Sequence, residues 1–442
     1  MADAFEDRLD ALISAARAAG ADAAEAQAGR SDGTSVHVRN GKLETVQRGE
    51  SESWFLRLWV GARSASQASI DLRGSSERDA LIERTLFMAR SAPEDPYSGL
   101  APPALIGTTG DAALAKLELY DPAEVDAGVL EEWARAAEAA ALEVSGVTNS
   151  QGSGANAGAF QSCHVTSEGY VGRRRASSFG LSVAVIAGAA GAMEVDGYGR
   201  TTRWKADLPT PQSIGQEAAL RTVARVGARK CRSTRGPVIF ERRIAMQLLM
   251  PFLAATSGQA IARGTSFLKT RLGEHVFASG IRIVDDPTVV RGLGSDLVDG
   301  EGLPSRYAVL VDDGVLTGWR LDLASARQLK LTPNGYAGRS HYNLTLVPGQ
   351  ASLATLMTEA GDGLLVTGMF GPSLNIQTGD WSAGVNGIWF EKGEPVHPVN
   401  ETTVAGSLSD FYARLVPGSD LQIEGTANSP SLLVDGVTIA GL

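Results

Sequence analysis

The chain has 442 residues, 43% of them hydrophobic and 20% charged, with 40 basic and 50 acidic residues for a formal net charge of −10. At roughly 150 residues per domain, that length fits two or three domains with real cores. The acidic balance argues against a whole-chain nucleic-acid footprint, which needs a basic surface.

Glycine is abundant, at 51 residues, without a three-residue period. That excludes collagen and points to many tight turns in a strand-rich fold. Cys163 and Cys231 make neither a disulfide framework nor a Cys-x-x-Cys pair. A single bridge between them is the alternative to two free thiols. The acidic, helix-like start lacks the basic segment of a secretory signal. The apolar stretch 181–193 is too short for a membrane span. These features read as a reduced, cytoplasmic protein.

In chain order, Phe5, Leu9, Leu12, Ile13 and Ala16 keep the spacing of an amphipathic helix. Val36 and Val38 alternate with polar neighbours, Asn40-Gly41 supplies a hairpin dipeptide, and 42–47 returns. Segments 54–60 and 64–72 read as the next hairpin, turning at Gly61. Ser75 and Ser76 are predicted to cap a helix reaching about Arg90, with Leu81, Ile82, Leu86 and Ala89 on one face. The Pro- and Gly-bearing stretch 93–110 reads as a linker or crossing loop.

The pattern then begins again. A helix at 125–144 is followed by strands at 161–166, 170–177, 179–187 and 193–204 and a helix at 213–228. Helix, four strands, helix, twice over, reads as an internal duplication. Two unrelated α+β stretches are the alternative, since identity between the halves is poor.

From Gly236 the texture changes. A short strand at 238–240 precedes a very apolar helix at 241–263, which Pro251 is expected to kink or restart because it lacks an N–H. Hairpins then dominate: 307–311 with 315–321 around Asp312-Asp313-Gly314, 388–391 turning at Lys392-Gly393, and 432–439 around Asp435-Gly436. The expected fold is α+β in two domains. Residues 1–232 form an N-terminal antiparallel sheet with flanking helices, and 233–442 a strand-rich C-terminal domain with the apolar helix.

Catalytic constellations are not visible locally. His37, His164, His275, His341 and His397 share no helix-face spacing, so a two-His zinc helix is missing. Cys163-His164 sits on a predicted strand, where neighbours point to opposite faces. No Gly-x-Ser-x-Gly elbow, complete dinucleotide loop or Gly-Lys-Ser/Thr tripeptide occurs. The basic runs 173–175 and 229–232 read as a solvated or salt-bridged strand face rather than a nucleic-acid patch. Asp285-Asp286 and Asp312-Asp313 read as turn residues, because each pair precedes Pro or Gly.

Several stretches taken together resemble the TldD/PmbA family. They are 272–277 (LGEHVF), 283–287 (IVDDP), 299–302 (DGEG), the Asp312-Asp313-Gly314 hairpin and 323–327 (LASAR). Further on come 375–390 (NIQTGDWSAGVNGIWF), 401–408 (ETTVAGSL) and 428–433 (NSPSLL). The 36–46 hairpin, the 54–61 strand and 96–100 (PYSGL) fit as well. The resemblance spans essentially the whole chain and is specific to the PmbA/TldE branch.

That resemblance implies a half-enzyme. The zinc-bearing TldD branch has a His-Glu-x-x-x-His helix and a later Cys. The corresponding 241–263 segment has neither His nor Cys, Glu241 is its only acidic residue, and nothing after Cys231 is cysteine. The slot for the later Cys falls near 425–428. A catalytic zinc needs three protein ligands and an open position, so no catalytic or metal residue and no cofactor is assigned to this chain.

The implied partner is a TldD-type zinc subunit, and the implied activity is metalloproteolysis of unfolded peptides by the heterodimer. A homodimer in isolation is the alternative assembly, and no nucleic acid or membrane partner is expected. An extended peptide could add to a sheet edge. The expected lining is Arg339, His341 and Asn343 within 339–346, and Thr378, Gly379, Asp380 and Trp381. Ordinary core hairpins are the alternative for each of these residues. Two other functional readings stand beside this one: a non-proteolytic binding or regulatory scaffold, such as a gyrase or toxin–antitoxin modulator, and a metal-free hydrolase whose nucleophile only the fold could activate.

Overall fold

The structure is a computed structural model and describes residues 2–70, 72, 74–107 and 110–441. Asp71, in the predicted second hairpin, and Thr108 and Thr109, in the predicted loop, lie outside the described residues.

The first unit comprises α1 (Ala2–Ala18), β1 (Ala23–Arg39), β2 (Lys42–Val60), β3 (Arg63–Ser69) and α2 (Ser75–Ser91). The short helix α3 (Asp111–Lys116) leads to a second unit of α4 (Ala127–Leu142), β4 (Val147–Thr166), β5 (Val171–Ala187), β6 (Glu194–Thr202) and α5 (Pro211–Val223). The expected helix faces are buried, Leu9, Leu12 and Ala16 in α1 and Leu81, Ile82, Leu86 and Ala89 in α2. Asn40 and Gly41 both take positive φ, 50° and 68°, as a type I′ turn requires. The Glu138 carboxylate of α4 accepts from both turn N–H groups at 2.8 and 2.7 Å. One helix start departs from expectation. The α2 N-cap is Gly74, with no side-chain cap bond, and Ser75 lies inside the helix.

Each unit contains three strands rather than four. Segments 42–47 and 54–60 are one continuous β2, and 170–177 and 179–187 merge into one β5. The polar stretch 48–53 looks like a break in the sequence, yet β1 pairs with it without interruption. A continuous ladder overrides local strand propensity. The six strands run β3-β2-β1-β4-β5-β6, so the antiparallel β1–β4 pair joins the two helix–three-strand–helix units.

Side chains alternate across the sheet, and one face carries both helix pairs. Ala24, Ala26, Ala28, Trp54, Leu56 and Leu58 pack beneath α1 and α2. Farther along the same strands, Val36, Val38, Ala155, Leu181, Val183 and Val185 pack beneath α4 and α5. Between these two cores the same face is polar, with Asp32, Thr34, Arg48, Gln161, Arg175 and Ser177.

The C-terminal half starts with β7 (Thr234–Phe240), α6 (Arg242–Ala255), α7 (Gly258–Ala262), β8 (Ile283–Asp285), β9 (Ala308–Asp312), β10 (Val315–Leu316), α8 (Leu323–Leu329) and β11 (Leu344–Leu346). It continues with α9 (Leu353–Ala360), β12 (Gly363–Leu374), β13 (Asp380–Glu391), β14 (Glu394–Ser407), α10 (Leu408–Ala413), β15 (Val416–Pro417), β16 (Ala427–Asn428) and β17 (Leu432–Ala440). Strands β14-β13-β12-β7-β17 form one sheet that β14–β17 pairing closes into a barrel, with β15 appended to β17. A second sheet runs β10-β9-β8-β11-β16.

Two sequence expectations change here. Pro251 stays inside α6, and the helical path breaks only at Thr256–Ser257, where Thr256 Oγ1 donates back to the Phe252 carbonyl (2.8 Å) and Ser257 caps α7. Asp435-Gly436 makes no hairpin turn; it forms a bulge within β17 between Val434 and Val437. Cys163 and Cys231 are both free and buried.

Gly215 lets α5 approach α4 closely. A Cβ there would stand 2.1 Å from the Ala137 carbonyl oxygen. In an isolated helix Gly→Ala is worth about 1 kcal/mol of added stability. At this crossing we predict the reverse: Gly215→Ala should destabilise by about 1–3 kcal/mol, the usual cost of overpacking. A lowered denaturant midpoint checks this, and a raised one would refute the tight crossing.

Candidate functional site

Helix α6 begins in a charged environment and continues in an apolar one. At its N-cap, Glu241 Oε2 accepts from Arg243 Nε at 2.5 Å, and Oε1 lies 3.9 Å from Arg242 Nε. Burial pushes the Glu241 carboxyl above its ordinary value, with Arg243 and Arg242 pulling partly back. Beyond this turn Ile244, Ala245, Leu248, Leu249, Phe252, Leu253 and Ala255 are buried. Phe252 stands edge-on to Phe277, which stacks on Tyr412 at 4.5 Å. Tyr412 in turn donates to the Leu248 carbonyl at 2.9 Å.

Strand β16, at the 425–428 slot, lies against α6. Just before it, Glu424 accepts from Arg200 Nη1 (2.9 Å) and the Tyr198 hydroxyl (3.0 Å) of β6, and its other oxygen lies 3.2 Å from Arg242 Nη1. Burial pushes the Glu424 carboxyl up, but Arg242, Tyr198 and Arg200 outweigh it and leave the carboxyl below its ordinary value. Arg221 of α5 stacks over Tyr198 at 4.1 Å. One arginine–carboxylate network therefore ties the edge of the first sheet to the start of α6.

The predicted 339–346 segment meets the same slot. β11 pairs in parallel with β16, and Leu344 N–H donates to the Thr426 carbonyl at 2.8 Å. His341 bridges Ser340 Oγ (2.7 Å from Nδ1) and Thr426 Oγ1 (3.1 Å from Nε2). Burial, reinforced by Arg320, pushes its imidazole below the ordinary value, toward the neutral form. Arg339 is ion-paired with Asp296 and lies over Tyr342. Asn343 is buried and fully bonded: Oδ1 accepts from Gly294 N–H, and Nδ2 donates to the Asp286 carbonyl and Ser295 Oγ.

Residues 378–381 are positioned by other contacts. Thr378 and Asp380 are exposed and joined by a 2.7 Å bond from Thr378 Oγ1. Gly379, at φ 81°, lies against the Phe267 ring. Trp381 is buried, edge-on to Phe240 and Phe411. The hydrogen bonds of this segment and of 339–346 share no partner among the described residues.

Among the described residues no group of three or more His, Cys, Asp or Glu could hold a metal ion. Both oxygens of Glu241 face arginines, and α6 itself contains no His, Cys, Asp or Glu. The residues here do not fit a zinc ion.

The sequence reading missed two carboxylates whose surroundings shift them, one of them directly behind the 339–346 segment. Asp285, read as a turn residue, ends β8 with no solvent exposure. It accepts from Tyr342 N–H (2.9 Å) and the Tyr336 hydroxyl (3.0 Å). Burial raises its carboxyl to about 6 despite those bonds. Glu301, whose Oε2 accepts from Leu323 N–H at the start of α8, is raised by burial to about 7, with Asp299 and Asp322 adding to the shift. The signal for Asp285 was available, since Ile283 and Asp285 share the buried side of one strand. Asp286 does form the expected turn, accepting from Thr288 N–H at 2.8 Å. Of the 173–175 arginines, Arg173 is paired with Glu6 and Arg174 with Asp296, whereas Arg175 lies over the Tyr120 ring with no carboxylate partner among the described residues.

Comparison with known proteins gives this arrangement its class. Family profiles described as PmbA/TldA metallopeptidase domain 1, central domain and C-terminal domain match residues 24–89, 120–226 and 233–441 in order. A metalloprotease PmbA from Escherichia coli O157:H7 is 33% identical over 426 residues, 95% of this chain and 92% of that protein. A PmbA homolog from Haemophilus influenzae is 31% identical over 420 residues, with the same coverage. A crystal structure from Bacteroides thetaiotaomicron, named as a candidate modulator of DNA gyrase, superposes with a TM-score of 0.92 at 26% identity, covering 100% of this chain and 99% of that one. TldE from Thermococcus kodakarensis shares the fold at a TM-score of 0.83 and 19% identity, covering 98% and 99%. The chain belongs to the PmbA/TldD family.

The buried Asp285 predicts an inverted pH dependence. Its folded carboxyl titrates near 6 and its unfolded one near 3.8, so the folded state holds the proton more tightly. The associated stability is full below about pH 4 and is lost as pH rises through 6, a difference on the order of 3 kcal/mol. Urea midpoints of wild type and Asp285→Asn should diverge in the variant's favour between pH 4 and 7. Parallel curves would contradict the burial argument.

Proposed function

We propose that this chain is a non-catalytic, TldE-like subunit of a cytoplasmic heterodimeric metalloprotease, which pairs with a TldD-type zinc-bearing subunit to degrade or process unfolded peptides. The observation that carries this reading is the chemistry of α6, the helix to which the resemblance assigns the zinc motif. Its single carboxylate is engaged by Arg242 and Arg243, and its remaining buried side chains are apolar. Metalloprotease names among the relatives support the reaction class. A curated relative of the other branch, a TldD homolog from Haemophilus influenzae, matches 40% of this chain at 26% identity.

Within that assembly we propose that the chain divides into domains at 1–232 and 233–442 and completes the peptide chamber without contributing a ligand to the metal. The peptide-facing groups of the proposal are Arg339, His341, Asn343, Thr378, Gly379, Asp380 and Trp381. Exposed Thr378 and Asp380 and half-buried His341 offer side-chain polar atoms, while the buried members shape the walls. None of the described helices is long and apolar enough to cross a membrane.

Cleavage of an unfolded peptide by this chain, by its TldD-type partner and by the zinc-supplemented mixture tests the reading. Turnover only in the mixture, abolished by chelator, is the expected result. Chelator-resistant cleavage by this chain alone would replace it with a metal-free hydrolase. A mixture no more active than the partner alone would favour a regulatory scaffold, homodimeric in isolation.

A further inference from the structure

The polar strip between the two helix pairs opens, between α1 and α3, into a cavity of about 580 Å³. Phe5, Leu114, Leu119, Tyr120 and Trp204 supply apolar walls, and Gln161, Arg173 and Arg175 line its floor. That volume lies within the range of small-ligand sites, in which apolar walls surround a few placed polar groups.

The charges of the cavity are unequally satisfied. Arg173 is held by Glu6, and the rim residue Glu118 by Arg291 at 2.7 Å. Arg175 is exposed and has no carboxylate partner among the described residues. Its guanidinium lies over the Tyr120 ring, 3.4 Å from the centroid. A guanidinium stacked in this way keeps its N–H edge free for a planar anion. The β4–β5 register sets Gln161 directly opposite Arg175, so an amide donor stands beside that edge on the same face.

The strip continues from Arg175 past Ala159 and Ser177 to Asp32, Thr34 and Arg48. There it forms a second cavity of about 520 Å³ that shares Tyr120 with the first. The space beside the unpaired cation is therefore elongated, with room for residues preceding a terminal one.

We propose that this cavity holds the free C-terminus of an extended peptide. The carboxylate sits on Arg175 and Gln161, the last side chain rests against Phe5, Tyr120 and Trp204, and the preceding residues follow the strip toward Arg48. The choice of a peptide over another apolar carboxylate rests on the peptide-handling function proposed above; the anion site itself stands on the unpaired Arg175.

Calorimetry with the full chain tests this, using Ala-Ala-Phe as the free acid, its C-terminal amide and 3-phenylpropionate. The free acid should bind, the amide and 3-phenylpropionate at least tenfold more weakly, and Arg175→Gln should lose at least tenfold for the acid. The exposed position of Arg175 predicts an unchanged unfolding temperature, which separates a lost contact from a lost fold. Equal binding of acid and amide, an unaffected variant, or no binding at millimolar peptide would overturn the proposal. Tighter binding of 3-phenylpropionate than of the tripeptide would reassign the cavity to a small acid. Chelator-sensitive cleavage by the mixed subunits is read separately, so either idea can fail while the other stands.

Discussion

The packing of α6 into the core beside the closed barrel is the constraint on which the C-terminal half depends. Val238 and Phe240 of β7, Leu364 and Val366 of β12, and Val434 of β17 belong to one buried cluster with Leu248, Leu249, Phe252 and Leu253. A fully buried aliphatic or aromatic side chain contributes about 1.5–3 kcal/mol. The same burial makes an unpaired charge on this face expensive. The helix therefore carries charge only at its half-buried beginning, where Glu241 pairs with Arg242 and Arg243 and Glu424 receives Arg242 and Arg200. What stabilises the fold is also what leaves α6 without metal ligands.

The N-terminal half depends on a different device. Strands of 17–20 residues carry two separate cores on one face, one under each helix pair. The polar middle of each strand, which breaks the hydrophobic alternation, belongs to the uncovered strip between the cores. Ion pairs such as Arg30–Glu50 (3.0 Å) occupy that strip, and their exposure makes them worth little to stability. Their position makes the strip a polar surface bounded by apolar walls. Structure and surface chemistry thus follow from one periodic pattern.

Much of this was legible in the sequence because it is local. The α1 and α2 faces, the Asn40-Gly41 turn, the Lys392-Gly393 turn and the repeated unit all rest on residue spacing within a few turns or strands. What escaped depends on long-range pairing. The 48–53 stretch reads as loop until β1 is laid beside it, and Asp435-Gly436 reads as a turn until β7 pairs with both of its flanks. Pro251 reads as a kink or a restart, yet the new helix begins only after Ser257 and α6 continues through the proline. Asp285 reads as turn chemistry because of the Pro that follows, although its burial beneath Tyr336 and Tyr342 comes from segments more than fifty residues away. The meeting of α6, 425–428 and 339–346 is consistent with the family resemblance, whereas neither the arginine network around Glu424 nor the unpaired Arg175 has a signature in local sequence.

The central claim is that α6 and its neighbours cannot hold a catalytic metal, and metal content tests it most directly. Elemental analysis of the purified chain, after equilibration with zinc and removal of excess ion, should find no stoichiometric zinc. The Glu241→Gln variant should be indistinguishable from wild type. One zinc per chain, reduced by that substitution, would contradict the account and return the catalytic centre to this chain.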